Sequence, residues 1–201
     1  MVNSEYRFFS LIAVALFVLC CLPMKLGGQA AQPASQPVSL NAALVLTPEF
    51  CATKTKKGTW GINQETFPVG KTACDELEPI IKAAFTSLTL VDDPAKAADE
   101  QLVLTPKFVD VGATQKTFAF SDRELTVLIE WTARDKSGKT VWIETIQGTA
   151  KRHMGNAFTH GSNVKHIVED AVKDDGEQAV AKIEASPEIA KVGAPPPKPA
   201  Q

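Results

Sequence analysis

The chain has 201 residues, with 21 basic and 23 acidic side chains and a formal net charge of -2 at pH 7. That length suits one compact domain with tails rather than two full domains, and 44% hydrophobic against 22% charged residues supplies an ordinary core, which excludes wholesale disorder. A balance this close to neutral, without a basic stripe, gives no reason to expect nucleic acid, and 4 cysteines are too few for a miniprotein built on disulfides.

Residues 8–24, FFSLIAVALFVLCCLPM, form an apolar run broken only by Ser10, with Arg7 just before it. A basic start, an apolar core and then small residues make the pattern of a secretory signal. Gly28 and Ala30 place small side chains at the -3 and -1 positions of a cleavage after Ala30. The run is short for a membrane span, which needs about 20 residues. Cys20 and Cys21 are the candidates for lipidation, although Leu19 stands where a lipoprotein signal has a small residue. Cleavage, lipidation and an uncleaved anchor remain open, and all three place the rest of the chain outside the cytosol. Residues 1–30 are therefore assigned to a signal peptide or membrane anchor, and residues 31–40 to a linker.

The remaining cysteines, Cys51 and Cys74, form the natural pair in an oxidising compartment. A bridge between them closes a loop of about 22 residues, worth roughly 3 kcal/mol in the chain-entropy view. Their spacing matches no zinc or redox motif.

Leu44–Phe50 reads as a strand, LVLTPEF, and returns almost unchanged as Leu102–Phe108, LVLTPKF. The flanks differ, so this is a local echo rather than a duplicated domain. Each internal proline marks a bulge, an edge or a strand end, because proline lacks a ladder donor. Between the echoes, Ala73, Leu77, Ile80, Ile81, Ala84, Phe85 and Leu88 fall at helical spacing. Thr72 and Asp75 resemble a capping box with a shorter acid, and Pro79 sits awkwardly inside. Leu88–Val91 then reads as a short strand.

Residues 123–134 alternate. Leu125, Val127, Ile129, Trp131 and Ala133 share one face of a half-buried antiparallel strand. A turn at Asp135–Lys139, with Gly138 suited to positive φ, leads into a second arm over residues 141–150. Val141, Trp142, Ile143 and Ile146 occupy both faces of that arm, so alternation does not fix its register. The final helix spans about Asn163–Glu184, with Asp174, Asp175 and Gly176 interrupting its apolar stripe. Residues 186–201 are rich in proline and are expected to form a disordered tail. The expected fold is α+β: a mostly antiparallel sheet of about five strands packed against two helices, over residues 41–185.

No catalytic constellation stands out. The sequence contains no glycine-rich phosphate loop, HExxH motif or GxSxG elbow. His153, His160 and His166 are spaced unlike ligands on one helical face, and the acid pairs Asp92–Asp93 and Asp174–Asp175 read as a turn and a solvated helix face. No cofactor or metal is expected. Two segments instead carry apolar side chains among polar residues and glycines. Trp60, Ile62 and Phe67 lie within residues 52–70, and Phe118 and Phe120 lie within residues 112–122. Apolar side chains in loops mark partner contacts, so these five are the candidate contact residues.

The element order, the export signal, the Leu102–Val111 strand after an Asp-rich turn and the Asp135–Gly138 hairpin leading to a terminal helix resemble a group of small bacterial envelope lipoproteins. The group includes lipopolysaccharide-assembly accessory lipoproteins, transport-auxiliary lipoproteins and the amino-terminal domain of the Tol-system beta-propeller protein. The resemblance covers about residues 42–185. It implies a non-enzymatic adaptor in the periplasm or at the outer membrane, binding an envelope protein or lipid, with membrane association through its N-terminus. The alternative is a periplasmic small-ligand or metal-binding module near His153 and His160.

Overall fold

The computed structural model describes residues 37–59, 63–115, 122–153 and 160–193. Strand β1 (Val38–Val45) lies between β4 (Phe85–Val91) and β5 (Leu102–Gln115) and is parallel to both. Ala42, Ala43, Leu44 and Val45 are all buried, as both faces of an inner parallel strand must be. The strand expected to run on to Phe50 ends at Val45. Thr47 and Pro48 start a helix: α1 (Pro48–Cys51) takes Pro48 at its first turn, and the Thr47 hydroxyl accepts from the Phe50 amide at 3.2 Å.

A segment expected to be loop forms the antiparallel hairpin β2 (Thr55–Thr59) and β3 (Asn63–Phe67). Helix α2 (Val69–Lys82) follows and buries Val69, Ala73, Leu77 and Ile81. The expected capping box is absent. Thr72 lies one turn inside the helix and its hydroxyl donates to the Pro68 carbonyl, while Asp75 pairs with Lys71 at 2.6 Å. Pro79 sits within the helix on an exposed position. The apolar spacing expected to continue to Leu88 is divided. Phe85 opens β4 (Phe85–Val91), whose partner is β1.

A 3-10 turn at Pro94–Ala97, capped by Asp93, leads to three long strands: β5 (Leu102–Gln115), β6 (Asp122–Asp135) and β7 (Thr140–His153). They form an antiparallel meander, and the sheet order is β4-β1-β5-β6-β7. The alternation of β6 holds, with Leu125, Val127, Ile129, Trp131 and Ala133 all buried. Pro106 lies beyond Leu104, the last β5 residue paired with β1, so its missing amide breaks no bond to that strand. In the turn after β6, Gly138 has φ 82°, a conformation that a side chain disfavours.

The register of β7 pairs Ile146 with Ile129, Glu144 with Trp131 and Trp142 with Ala133. Its alternation is poor for two reasons. Glu144 lies on the helix-facing side and is neutralised there by Lys182 at 2.7 Å, and Ile143 faces away at 57% exposure.

Helix α3 (His160–Ala185) runs unbroken through Asp174, Asp175 and Gly176. It buries Ile167, Val168, Ala171, Val172, Ala179 and Ile183 against β6, β7 and α2. Burying each Val or Ile side chain stabilises by about 1.5–3 kcal/mol. The expected tail also begins too early. Pro187–Val192 forms α4, capped by Ser186, and Ile189 is buried in the core. The fold is thus α+β, with a five-stranded mixed but mostly antiparallel sheet and two main helices. Among the described residues, no helix is long and apolar enough to cross a membrane.

Candidate partner-contact site

Trp60 and Ile62 belong to the segment joining β2 to β3, and Phe118 and Phe120 to the segment joining β5 to β6. All four lie outside the described residues. Their stems are described, and β2 packs against β5. Phe67 is not a contact residue. It ends β3 and is buried in the core at 1% exposure. Alternation along a short hairpin strand sends it inward, which a loop assignment could not anticipate.

Two devices anchor the base of the β2–β3 hairpin. Cys51 at the end of α1 is bridged to Cys74 in α2, with Cα atoms 5.7 Å apart. Phe50 stacks on Phe108 of β5, ring centroids 4.7 Å apart and 11° from parallel. The register of β5 shifts between Phe108 and Asp110, and Val109 stands out to solvent there at 52% exposure.

Beside the disulfide lies an open groove of about 410 Å³, lined by Leu46, Cys51, Cys74, Leu90, Val91 and the Asp92–Lys96 pair. Sequence reasoning missed this groove because its walls come from four separate elements. The one local signal was Leu90, an apolar residue at the end of an edge strand.

The far end of the meander is charged. Asp122 accepts from Lys151 and from His153, each at 3.2 Å, and these bonds, His153 first, hold its carboxyl below the usual range. Arg152 donates to Asp170 at 2.6 Å, and Glu169 accepts from His166 at 2.8 Å. His153 and His166 are therefore each engaged by a carboxylate. His160 begins α3, and its side chain lies outside the described residues. Among the described residues, no group of three or more His, Cys, Asp or Glu side chains is placed to hold a metal ion.

The acid pair in α3 departs most from expectation. Asp175 is fully buried, not solvated. It stands four residues after Ala171 and four before Ala179, on the apolar stripe itself. That spacing was the signal that a buried partner must exist. The partner is Trp131, whose indole N–H donates to Asp175 Oδ1 at 2.8 Å. Asp175 Oδ2 has no hydrogen-bond partner among the described residues. Burial pushes the carboxyl up to about 7. The Trp131 hydrogen bond and the Ile129 amide oppose the shift, and the charge of Asp174 adds to it.

Asp174 has a different task. Its Oδ2 accepts from the Thr149 amide at 2.8 Å and from Gln178 Nε2 at 3.1 Å, and the same Gln178 amide donates to the Gln147 carbonyl at 2.9 Å. Strand β7 is an edge, and these side chains satisfy two of its backbone groups, the Thr149 N–H and the Gln147 carbonyl. Gly148 makes the approach possible, since a Cβ there would collide with the Ala171 carbonyl and lie 2.6 Å from the Asp175 nitrogen.

No protein-family model matches the chain, and no curated protein matches it. Among solved structures, protein XCC0632 from Xanthomonas campestris, described as family-model DUF330, is similar with a TM-score of 0.52 and 11% identity. The match covers 77% of this chain and 89% of that one. A minor lipoprotein from Acinetobacter baumannii gives a TM-score of 0.48 at 12% identity, covering 74% of this chain and 93% of that one. The likeness to XCC0632 is one of fold.

Proposed function

We propose that the chain is an exported, non-catalytic accessory protein of the bacterial envelope that binds a protein partner through the segments carrying Trp60 and Phe118. The observation that carries this reading is the apolar run Phe8–Met24 ahead of a domain whose two cysteines are joined. A signal of that kind and a disulfide belong to the same oxidising compartment. The sequence resemblance to lipopolysaccharide-assembly and transport-auxiliary accessory lipoproteins supports it. That resemblance points to a component of envelope assembly or transport as the partner. Trp60 and Phe118 are the side chains best suited to anchor such a contact, since aromatic residues dominate interface energetics. Strand β2, which leads to Trp60, packs on β5, which leads to Phe118.

A photoreactive residue placed at Trp60 or at Phe118 in cells tests the surface, with the exposed position Lys136 as control. The expected result is a discrete protein adduct from the two segments and none from Lys136. No adduct from either segment, or adducts to lipid in place of protein, contradicts the reading.

A further inference from the structure

Asp175 is a fully buried acid that accepts from the Trp131 indole, and the helix that carries it also covers the edge of the sheet. Each packed element contributes little to balance a charge there. On its own helix, the adjacent Asp174 is of like sign and already committed to Thr149 and Gln178. Strand β6 offers the Trp131 indole and the Ile129 amide, neither of which titrates. On β7, Gly148 brings no side chain, and the flanking Glu144 and Arg152 are paired onto α3 with Lys182 and Asp170. From α2, Leu77 and Ile80 pack at Gly176, and Glu76 is paired with Lys173. Among the described residues, no cation pairs with Asp175. An uncompensated carboxylate in such a place is costly, whereas the neutral acid keeps the Trp131 bond and leaves no charge to desolvate.

We infer that Asp175 is a protonation-sensitive latch: its neutral form holds α3 down on β6 and β7, and its ionisation loosens α3 and uncovers the β7 edge at Gln147 and Thr149. The upward displacement of its titration to about 7 agrees with this placement. The coupling is direct in the chain, because the residue that caps the edge, Asp174, is the immediate neighbour of the residue that titrates. This inference is independent of the partner-contact reading above.

Amide exchange on the full chain tests it, with protection corrected for the intrinsic pH dependence of exchange. Protection at the Thr149 amide is expected to fall by about tenfold or more between about pH 6 and about pH 8 in the wild type, and to stay level in Asp175→Asn. A second readout, the Trp131 indole resonance, is expected to titrate with the same midpoint in the wild type. Trp131→Phe, which removes the donor that lowers the titration, should move the loss of Thr149 protection to higher pH. A level wild-type profile, or a slope that survives in Asp175→Asn, overturns the latch. If Asp175→Asn does not fold, a Trp131→Phe profile unmoved from the wild type overturns it instead.

Discussion

Phe50 and Phe108, the last residues of the two echoed heptapeptides, stack on one another with ring centroids 4.7 Å apart. The echo therefore brings matching ends into contact while the chain around them differs, since Pro48 starts a helix and Pro106 lies within a strand. Aromatic pairs of this kind contribute about 0.5–1.5 kcal/mol beyond area burial. A double-mutant cycle of Phe50→Leu and Phe108→Leu, followed by denaturant unfolding, should return a coupling energy in that range. Additive single effects would show that the stack is incidental.

The disulfide stabilises the same corner. Cys51 and Cys74 are 23 positions apart and connect α1 to α2. Reduction, or the double replacement Cys51→Ala and Cys74→Ala, should lower unfolding free energy by roughly 2–4 kcal/mol. The shift in the chemical-denaturation midpoint under reducing and oxidising conditions is the measurement.

Gly148→Ala should be more damaging than its size suggests. A methyl group there meets the α3 backbone, which cannot move without releasing the Thr149–Asp174 bond. The expected cost is about 1–3 kcal/mol, read as a fall in Tm. Gly112→Ala is the matched control, because a Cβ there finds only ordinary contact with Thr126 at 3.8 Å.

Asp175 fixes the sign of one pH dependence. Its folded titration lies near 7, above the ordinary value of 3.8. The folded state therefore binds the proton more tightly than the unfolded chain. Its contribution to stability is complete below about pH 4 and is lost as pH rises through the window to about 7, by roughly 4 kcal/mol in all. Urea unfolding across that window should show stability falling with pH in the wild type relative to Asp175→Asn, which carries no such slope.

Much of the fold was legible because hydrophobic period is a local property. The stripe of α3 and the alternation of β6 were readable from Ile167–Ile183 and Leu125–Ala133 alone. Boundaries failed where a local signal competed with a tertiary one. Thr47 and Pro48 ended β1 early, and Phe85 and Leu88 kept helical spacing while pairing as a strand with β1. The register of β7 was hidden because Glu144 faces the helices and Ile143 faces solvent, and both depend on partners 38 or more residues away or on none. Of the five candidate contact residues, Phe67 proved to be core. The groove beside the disulfide and the buried Asp175 arise from elements distant in sequence, so the only warnings were local ones: Leu90 near the end of an edge strand and Asp175 on an apolar stripe.

Export is the claim on which the compartment, the disulfide and the accessory role all depend. A reporter enzyme that is active only outside the cytosol, fused directly after Ser39, measures it. The account predicts reporter activity dependent on residues 1–30 and abolished when the Phe8–Met24 run is interrupted by charged residues. A reporter that remains inactive in the cytosol behind the intact segment would contradict it.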